Sequence, residues 1–254
     1  MELKGVLVAG GSGSRLSPFT KYTHKTLLPI YDRPVIDFAL ETMRNANIRD
    51  ITIVANEHIG QITKHLGTGR PGERIHYVIE DEPRGVYEAL SLAKPYVEGS
   101  RVMIYFSDNI TTWNFKDDAE LFRESKEPPG AILLAREVEN PSSFGVCEMD
   151  SEGRIVDVVE KPENPPSRLA IGGIYLFDEK FWMIMEEERE VNKDCFSISD
   201  VTRRYVKAGC ASVRNLGSDT WIDCGTPIDL LRASELAYEG RIGIKEATKE
   251  EGGT

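Results

Sequence analysis

Leu3-Lys4-Gly5-Val6-Leu7-Val8-Ala9, running into Gly10-Gly11-Ser12-Gly13-Ser14-Arg15-Leu16, is the stretch whose reading decides the fold. A short, apolar, β-branched run reads as a buried strand, and the glycines that end it read as a turn. Glycine lets the backbone come close to a ligand and aim its N–H groups at an anion. The charge around the turn points the same way. Between Leu3 and Tyr31 there is no Asp or Glu, while Lys4, Arg15, Lys21 and Lys25 all occur. The 254-residue chain has 31 Lys and Arg against 42 Asp and Glu, a net charge of −11, so this segment is a local positive field in an acidic molecule. Phosphate is the group such a field attracts.

Three familiar glycine motifs do not match. A dinucleotide fingerprint needs a third glycine where Leu16 stands, a P-loop needs Gly-Lys-Ser/Thr, and a nucleophile elbow needs glycine at Ser14. The turn therefore reads as phosphate-binding but of another class.

Outward from it, strand and helix alternate. Strands are expected at Leu3–Ala9, Ile51–Ala55, Ile75–Ile79 and Val102–Phe106. Helices are expected from Pro34 to about Asn45, at Glu57–Leu66, at Gly85–Lys94 with a stop before Pro95, and at Phe115–Lys126. Such alternation means parallel βαβ crossovers in an α/β sheet. The second half is more mixed. Gly145–Met149 and Arg154–Glu160 flank a turn-rich Asp150–Gly153 and predict a hairpin. Leu169–Phe177 is a strand interrupted by Gly172-Gly173, a pair that marks close approach by a ligand or another backbone. Ala131–Arg136, Ala211–Asn215 and Trp221–Asp223 are further strands, with helices near Glu179–Arg189, Ser199–Ala208 and Pro227–Glu239. The Glu186–Glu190 run reads as a solvated helix face.

Composition narrows the class. Hydrophobic residues at 40% and charged residues at 29% describe a globular chain, one large domain or two small ones. Strong acidity disfavours nucleic acid as a partner. No apolar run approaches the roughly 20 residues that cross a bilayer, and the first residues do not read as a signal peptide, so no membrane partner and a cytoplasmic location are expected. Cys147, Cys195, Cys210 and Cys224 form no C-x-x-C pair and read as reduced thiols.

Three residues stand where strand ends bring chemistry together. Asp108 follows Val102–Phe106 at the sheet edge where ligands of open α/β sheets gather. It could hold Mg²⁺, which prefers one or two carboxylates with phosphate oxygens and water, and Asp223 is a candidate second ligand. Lys161, just past a strand, could neutralise a second phosphate. Taken singly, each aspartate reads first as a turn or a cap, and Lys161 as an exposed lysine before a proline.

Taken together, they carry a resemblance. Gly10-Gly11-Ser12-Gly13-Ser14-Arg15-Leu16-Ser17-Pro18-Phe19-Thr20, then Lys25-Thr26-Leu27-Leu28-Pro29-Ile30, then Arg33-Pro34, resembles the signature of sugar-1-phosphate nucleotidylyltransferases, with glucose-1-phosphate thymidylyltransferases the nearest group. Ser107-Asp108-Asn109, Phe144-Gly145-Val146, Glu160-Lys161-Pro162, Ile171-Gly172-Gly173-Ile174-Tyr175, Ile198-Ser199-Asp200-Val201 and Trp221-Ile222-Asp223-Cys224-Gly225-Thr226 continue it in order. The resemblance implies a Rossmann-like three-layer fold with a mixed, mostly parallel central sheet and an inserted β-hairpin that binds sugar. It implies a single domain over residues 1–240, nucleotide-binding over about 1–110 and sugar-binding over about 111–226, with a polar tail at 241–254. It implies transfer of a nucleotidyl group from a nucleoside triphosphate to a sugar 1-phosphate, with Mg²⁺ as cofactor and pyrophosphate as the second product. Glucose 1-phosphate with dTTP or another pyrimidine triphosphate is the first reading; CTP, UTP, GTP or another sugar phosphate are alternatives. A homo-oligomer, dimer or tetramer, is expected.

Carried over position by position, the resemblance gives Arg15, Lys25 and Lys161 catalytic roles. Ala9, Gly10, Gly11, Gly13, Glu80, Gly85 and Asp108 would contact the nucleotide. Asn109, Gly145, Glu160, Gly172 and Tyr175 would contact the sugar or its neighbours, and Asp108 and Asp223 would hold the metal. Some residues depart from the pattern. Glu80 stands where thymidylyltransferases have Gln, Ser107 replaces a glycine, and Cys195 and Ser197 replace acids. Two rival classes remain: a nicotinamide-dependent oxidoreductase, disfavoured by the missing third glycine, and a non-catalytic sensor of nucleotide sugars.

Overall fold

Strand β1 (Leu3–Val8) lies inside a nine-stranded sheet. The structure is a computed structural model that describes residues 1–82 and 84–243. After β1 come a two-residue ladder, β2 (Pro29–Ile30) with β3 (Arg33–Pro34), and helix α1 (Val35–Asn45). Next are β4 (Asp50–Ala55), α2 (Ile59–Leu66), β5 (Arg74–Ile79), α3 (Val86–Val97) and β6 (Arg101–Phe106). The second half runs β7 (Asn109–Thr111), α4 (Lys116–Glu124), β8 (Ala131–Glu137), β9 (Gly145–Met149), β10 (Ile155–Glu160) and β11 (Leu169–Phe177). It closes with α5 (Phe181–Asn192), α6 (Ile198–Lys207), β12 (Ala211–Asn215), β13 (Trp221–Asp223) and α7 (Pro227–Tyr238).

The strand order is β10-β9-β11-β6-β1-β4-β5, with β8 joining β11 to β12. Strands β6, β1, β4 and β5 are parallel, as the alternation predicts; Val6 faces Thr52 on one side and Ile104 on the other. β11 runs against β6, and β8 and β9 run against β11. Only β10 and β11 therefore oppose the rest, which makes the sheet mixed but mostly of one direction. The hairpin β9–β10 forms as expected, with Gly145 opposite Glu160.

Period-two alternation splits the core between the two sheet faces. Leu7, Met103 and Tyr105 pack with Ile36, Leu40 and Met43 of α1 and Phe122 of α4 on one face. Val6, Val8 and Ile104 pack with Leu90, Ala93 and Val97 of α3 and with α5 and α6 on the other. Helix, sheet and helix make three layers. A third cluster of Ile30, Phe38, Ile110, Ile222, Ala233 and Ile242 docks α7 on α1. Packing thus reaches Ile242, past residue 240, whereas 244–254, most of the expected polar tail, lies outside the described residues. No described helix is long and apolar enough to cross a membrane.

Two expectations are corrected. Helix α3 does not stop before Pro95 but encloses it. In the last turn the proline forfeits one intrahelical bond, and buried Ala93 and Val97 hold that turn on the sheet. The acidic run is not wholly solvated: Glu188 is buried and accepts from Arg204 Nη1 at 2.8 Å.

Candidate active site

Because β1, β4, β5 and β6 are parallel, their carboxyl ends share one edge, and the turn after β1, Glu80 after β5 and Asp108 after β6 all lie along it. The turn is compact. Gly13 is left-handed (φ 64°), and a Cβ there would stand 2.8 Å from the Thr20 methyl. A Cβ on Gly10 would overlap the Glu80 carboxylate, and one on Gly11 would lie 3.1 Å from Lys25 Nζ. The two glycines therefore bridge Glu80 to Lys25. Ala9 lies beneath them, its N–H given to the Val54 carbonyl at 2.7 Å. Gln61 of α2 pins the far side of the loop, donating to the Tyr22 carbonyl and accepting from the His24 N–H.

Lys25 Nζ donates to Asp108 Oδ2 at 2.8 Å. Burial pushes Asp108 up, but the charge and hydrogen bond of Lys25, aided by Arg15, outweigh it and hold the carboxyl below its ordinary value. Asp223 reaches the same place from the far end of the chain. The β7–β13 ladder sets it opposite Asn109, and the Cys224 N–H donates to the Asp108 carbonyl at 2.7 Å. Burial, then repulsion from Asp108, pushes Asp223 up to about 6 despite Arg15 and Lys25. Its Oδ1 is buried and has no hydrogen-bond partner among the described residues. Gly225 leaves room for Arg15, since a Cβ there would lie 2.6 Å from Arg15 Nη2 and 3.0 Å from Asp223 Oδ1.

Two converging carboxylates, one with an orphaned buried oxygen, suit a divalent cation. Among the described residues no group of three or more His, Cys, Asp or Glu is arranged to hold a metal. Two carboxylates are a donor set that Mg²⁺ accepts when phosphate oxygens and water complete its shell.

From Arg15 and Asp223 a cleft of about 1070 Å³ runs past Trp221, Phe144 and Arg136 to Lys161. Lys161 is a non-glycine residue at φ 41°; its N–H donates to the Phe144 carbonyl and its ammonium lies 3.3 Å from Glu160 Oε1. Backbone strain of this kind concentrates at functional positions. Glu160 Oε2 accepts from Ser199 Oγ at 2.6 Å, and a Cβ on Gly145 would crowd both. Ser199 belongs to this cluster but carried no role in the sequence reading; only the contact reveals it. Ser197, where the pattern has an acid, forms a capping box with Asp200 at the start of α6.

Arg15, Lys25, Asp108 and Asp223 are thus brought together, with Lys161 across the cleft. Glu80 is 4% exposed beside Gly10, and Gly85 (φ 127°) caps α3. Tyr175 is placed differently: its ring is buried between Phe106 and Phe177. Gly172-Gly173 admit two side chains, for a Cβ would meet Trp221 Nε1 at 3.0 Å or Asn109 Nδ2 at 2.6 Å.

His24 next to Lys25 went unassigned in the sequence. It is 1% exposed, and its Nδ1 accepts from the Thr26 N–H, which leaves the ring proton on Nε2. Burial, then the Lys25 charge, pushes it down to about 4. An unfolded histidine takes a proton near pH 6.5 that folded His24 refuses until about pH 4, so stability falls as pH drops through that window. Between pH 7 and 5 the wild type is expected to lose about 2 kcal/mol more than His24→Asn, measured by urea unfolding. Equal losses would contradict the buried neutral ring.

A parallel sheet edge bearing a cationic glycine turn and two neighbouring carboxylates defines an α/β protein whose site suits a phosphate group. Comparison with known proteins narrows this. The nucleotidyl transferase family model matches residues 4–240. A low-salt glycan biosynthesis nucleotidyltransferase of Haloferax volcanii is 32% identical over 97% of this chain and 69% of its own. A glucose-1-phosphate thymidylyltransferase of Actinoplanes is 32% identical over 98% and 83%. A Bacillus anthracis structure assigned as a glucose-1-phosphate thymidylyltransferase, in complex with sucrose, superposes with a TM-score of 0.87 at 34% identity, covering 96% of this chain and 98% of that one. The chain belongs to the nucleotidyl transferase family, among the sugar-1-phosphate nucleotidyltransferases that make nucleotide sugars.

Proposed function

We propose that this protein joins the nucleotidyl group of a nucleoside triphosphate to a sugar 1-phosphate, glucose 1-phosphate with a pyrimidine triphosphate being the first pair to test. The observation that carries the proposal is the convergence of Asp108 and Asp223 beside Lys25 and Arg15, at the mouth of a cleft that reaches Lys161. A sugar phosphate oxygen attacks the α-phosphorus, the bond to the β-phosphoryl oxygen breaks, and pyrophosphate leaves. No protein nucleophile is needed, because the attacking monoester is already ionised. Repulsion between the two anions is the first obstacle; Arg15 and Lys25 meet it on the triphosphate side and Lys161 on the sugar phosphate side. Asp108 and Asp223 would hold Mg²⁺, which when bound neutralises phosphoryl oxygens as a Lewis acid. The backbone at Gly10, Gly11 and Gly13 cradles phosphate, and Gly145 and Glu160 face the sugar.

Pyrophosphate release over a grid of triphosphates and sugar 1-phosphates tests this. A productive pair is expected with Mg²⁺ and none after chelation; no release with any pair favours a sensor. A cytoplasmic location and a dimer or tetramer belong to the same proposal, and a solution mass measurement decides the assembly.

Glu80 bears on the base. An ionised carboxylate only accepts, whereas the Gln of thymidylyltransferases both donates and accepts, matching thymine O4 and N3–H. Burial raises the Glu80 carboxyl above its ordinary value, against the Arg84 backbone N–H. Glu80→Gln is expected to raise kcat/KM for dTTP or UTP by roughly 2- to 10-fold, the worth of one added hydrogen bond. An unchanged profile across dTTP, UTP, CTP, GTP and ATP would remove Glu80 from the base pocket.

A further inference from the structure

Lys25 opens a single 3₁₀ turn, Lys25–Leu27, and both peptide units beside it are pinned. Ahead of it, the His24 carbonyl accepts from the Leu27 N–H at 2.9 Å. Behind it, the Thr26 N–H donates to His24 Nδ1 at 3.2 Å, and the Thr26 hydroxyl lies 2.8 Å from the same nitrogen. His24 is held in turn from α2. Its N–H donates to Gln61 Oε1 at 2.9 Å, while Gln61 Nε2 donates to the Tyr22 carbonyl at 3.1 Å.

Peptide units are planar, so fixing the two that flank a residue fixes the direction of its side chain. At Lys25 that direction crosses Gly13, where a Cβ would stand 3.1 Å from Lys25 Cβ. It ends with the ammonium beside Gly11 and on Asp108 Oδ2. The imidazole that sets this up is a poor choice for stability alone. It is 1% exposed, and Nε2 is buried with no hydrogen bond to a described residue, although the Ala9 carbonyl lies close enough to favour a proton on the ring. A buried donor without a partner weakens a fold. What the ring contributes is the acceptor at Nδ1.

We propose that His24, held by Gln61, is a positioning residue that sets the Lys25 ammonium between the glycine turn and Asp108, where it meets the triphosphate. The inference rests on the phosphate-binding reading of that turn.

The test is triphosphate binding to the full chain with Mg²⁺, followed by titration calorimetry, the probe being the tightest binder among dTTP, UTP, CTP, GTP and ATP. Lys25→Ala removes one charge-assisted hydrogen bond and is expected to weaken binding about 10-fold or more. His24→Leu and Gln61→Leu keep Lys25 but release its backbone, and each should weaken binding about 3-fold or more. His24→Asn should recover most of the loss in His24→Leu, because Asn Oδ1 stands where Nδ1 does and accepts the same N–H. Adding His24→Leu or Gln61→Leu to Lys25→Ala separates aiming from mere support. If His24 acts through Lys25, the added substitution changes binding by less than about twofold once the lysine is gone. Thermal midpoints are recorded, and Gln61, half-buried on α2, keeps the test open if His24→Leu does not fold. Equal losses with Lys25 present and absent, or wild-type binding by both His24→Leu and Gln61→Leu, would overturn the positioning role and leave the triphosphate site standing. A wild type that binds none of the five triphosphates would bring down the phosphate reading, and the role of His24 with it.

Discussion

Asp108→Asn is expected to lower kcat on the order of 10²-fold or more while leaving the protein folded. The substitution keeps the volume and one acceptor oxygen but removes a negative charge from a buried pair. Two opposing effects bear on stability. Lys25 loses its 2.8 Å partner, which destabilises, while Asp223 loses the repulsion that helps push it up to about 6, which stabilises. The two offset each other, so the thermal midpoint should move little. Activity loss without unfolding is what a charge-holding residue gives; a packing residue would lose both. Steady-state pyrophosphate release and a thermal melt decide it. Near wild-type turnover by Asp108→Asn would refute the metal assignment.

Lys161→Ala is expected to cost a similar 10²-fold or more in kcat, for a different reason. Its side chain is 65% exposed and, among the described residues, pairs with Glu160 at 3.3 Å, a surface contact that contributes little to stability. An exposed lysine in a left-handed backbone position has nothing to gain from the fold, so its worth lies in what it meets across the cleft from Arg15. Lys161→Arg should recover part of the activity, because charge returns while reach and shape do not. Full activity in Lys161→Ala would move the sugar phosphate away from that end of the cleft.

The first half of the fold was legible because its signals are local. Apolar β-branched runs that end in Gly10 or Asp108 can be read without knowing their neighbours, and the parallel sheet follows from the alternation. The hairpin was legible through its Asp150–Gly153 turn. The ladders β2–β3 and β7–β13 were not foreseen as pairs, since strands of two or three residues carry no periodicity. Pro95 was read by its ordinary rule, and the buried face of α3 overrides that rule.

The site follows the same division. Types and order of residues pointed to Arg15, Lys25, Asp108, Lys161 and Asp223, and the fold gathers them. What no local signal could supply was contact between distant side chains. Gly172-Gly173 read as room for a ligand or a backbone, and the structure fills that room with Trp221 and Asn109. Tyr175 lies in a matching motif yet turns to the core, because alternation along β11 puts it on the face that carries Phe177. Ser199 and His24 became visible only through what they touch.

A crystal grown with Mn²⁺ and the preferred triphosphate tests the central claim most directly, by anomalous scattering. The account predicts the Mn²⁺ peak between the carboxylates of Asp108 and Asp223, with the triphosphate along Gly10–Gly13 and within reach of Lys25. A triphosphate lodged away from that turn, or a metal held where either aspartate points elsewhere, would contradict it.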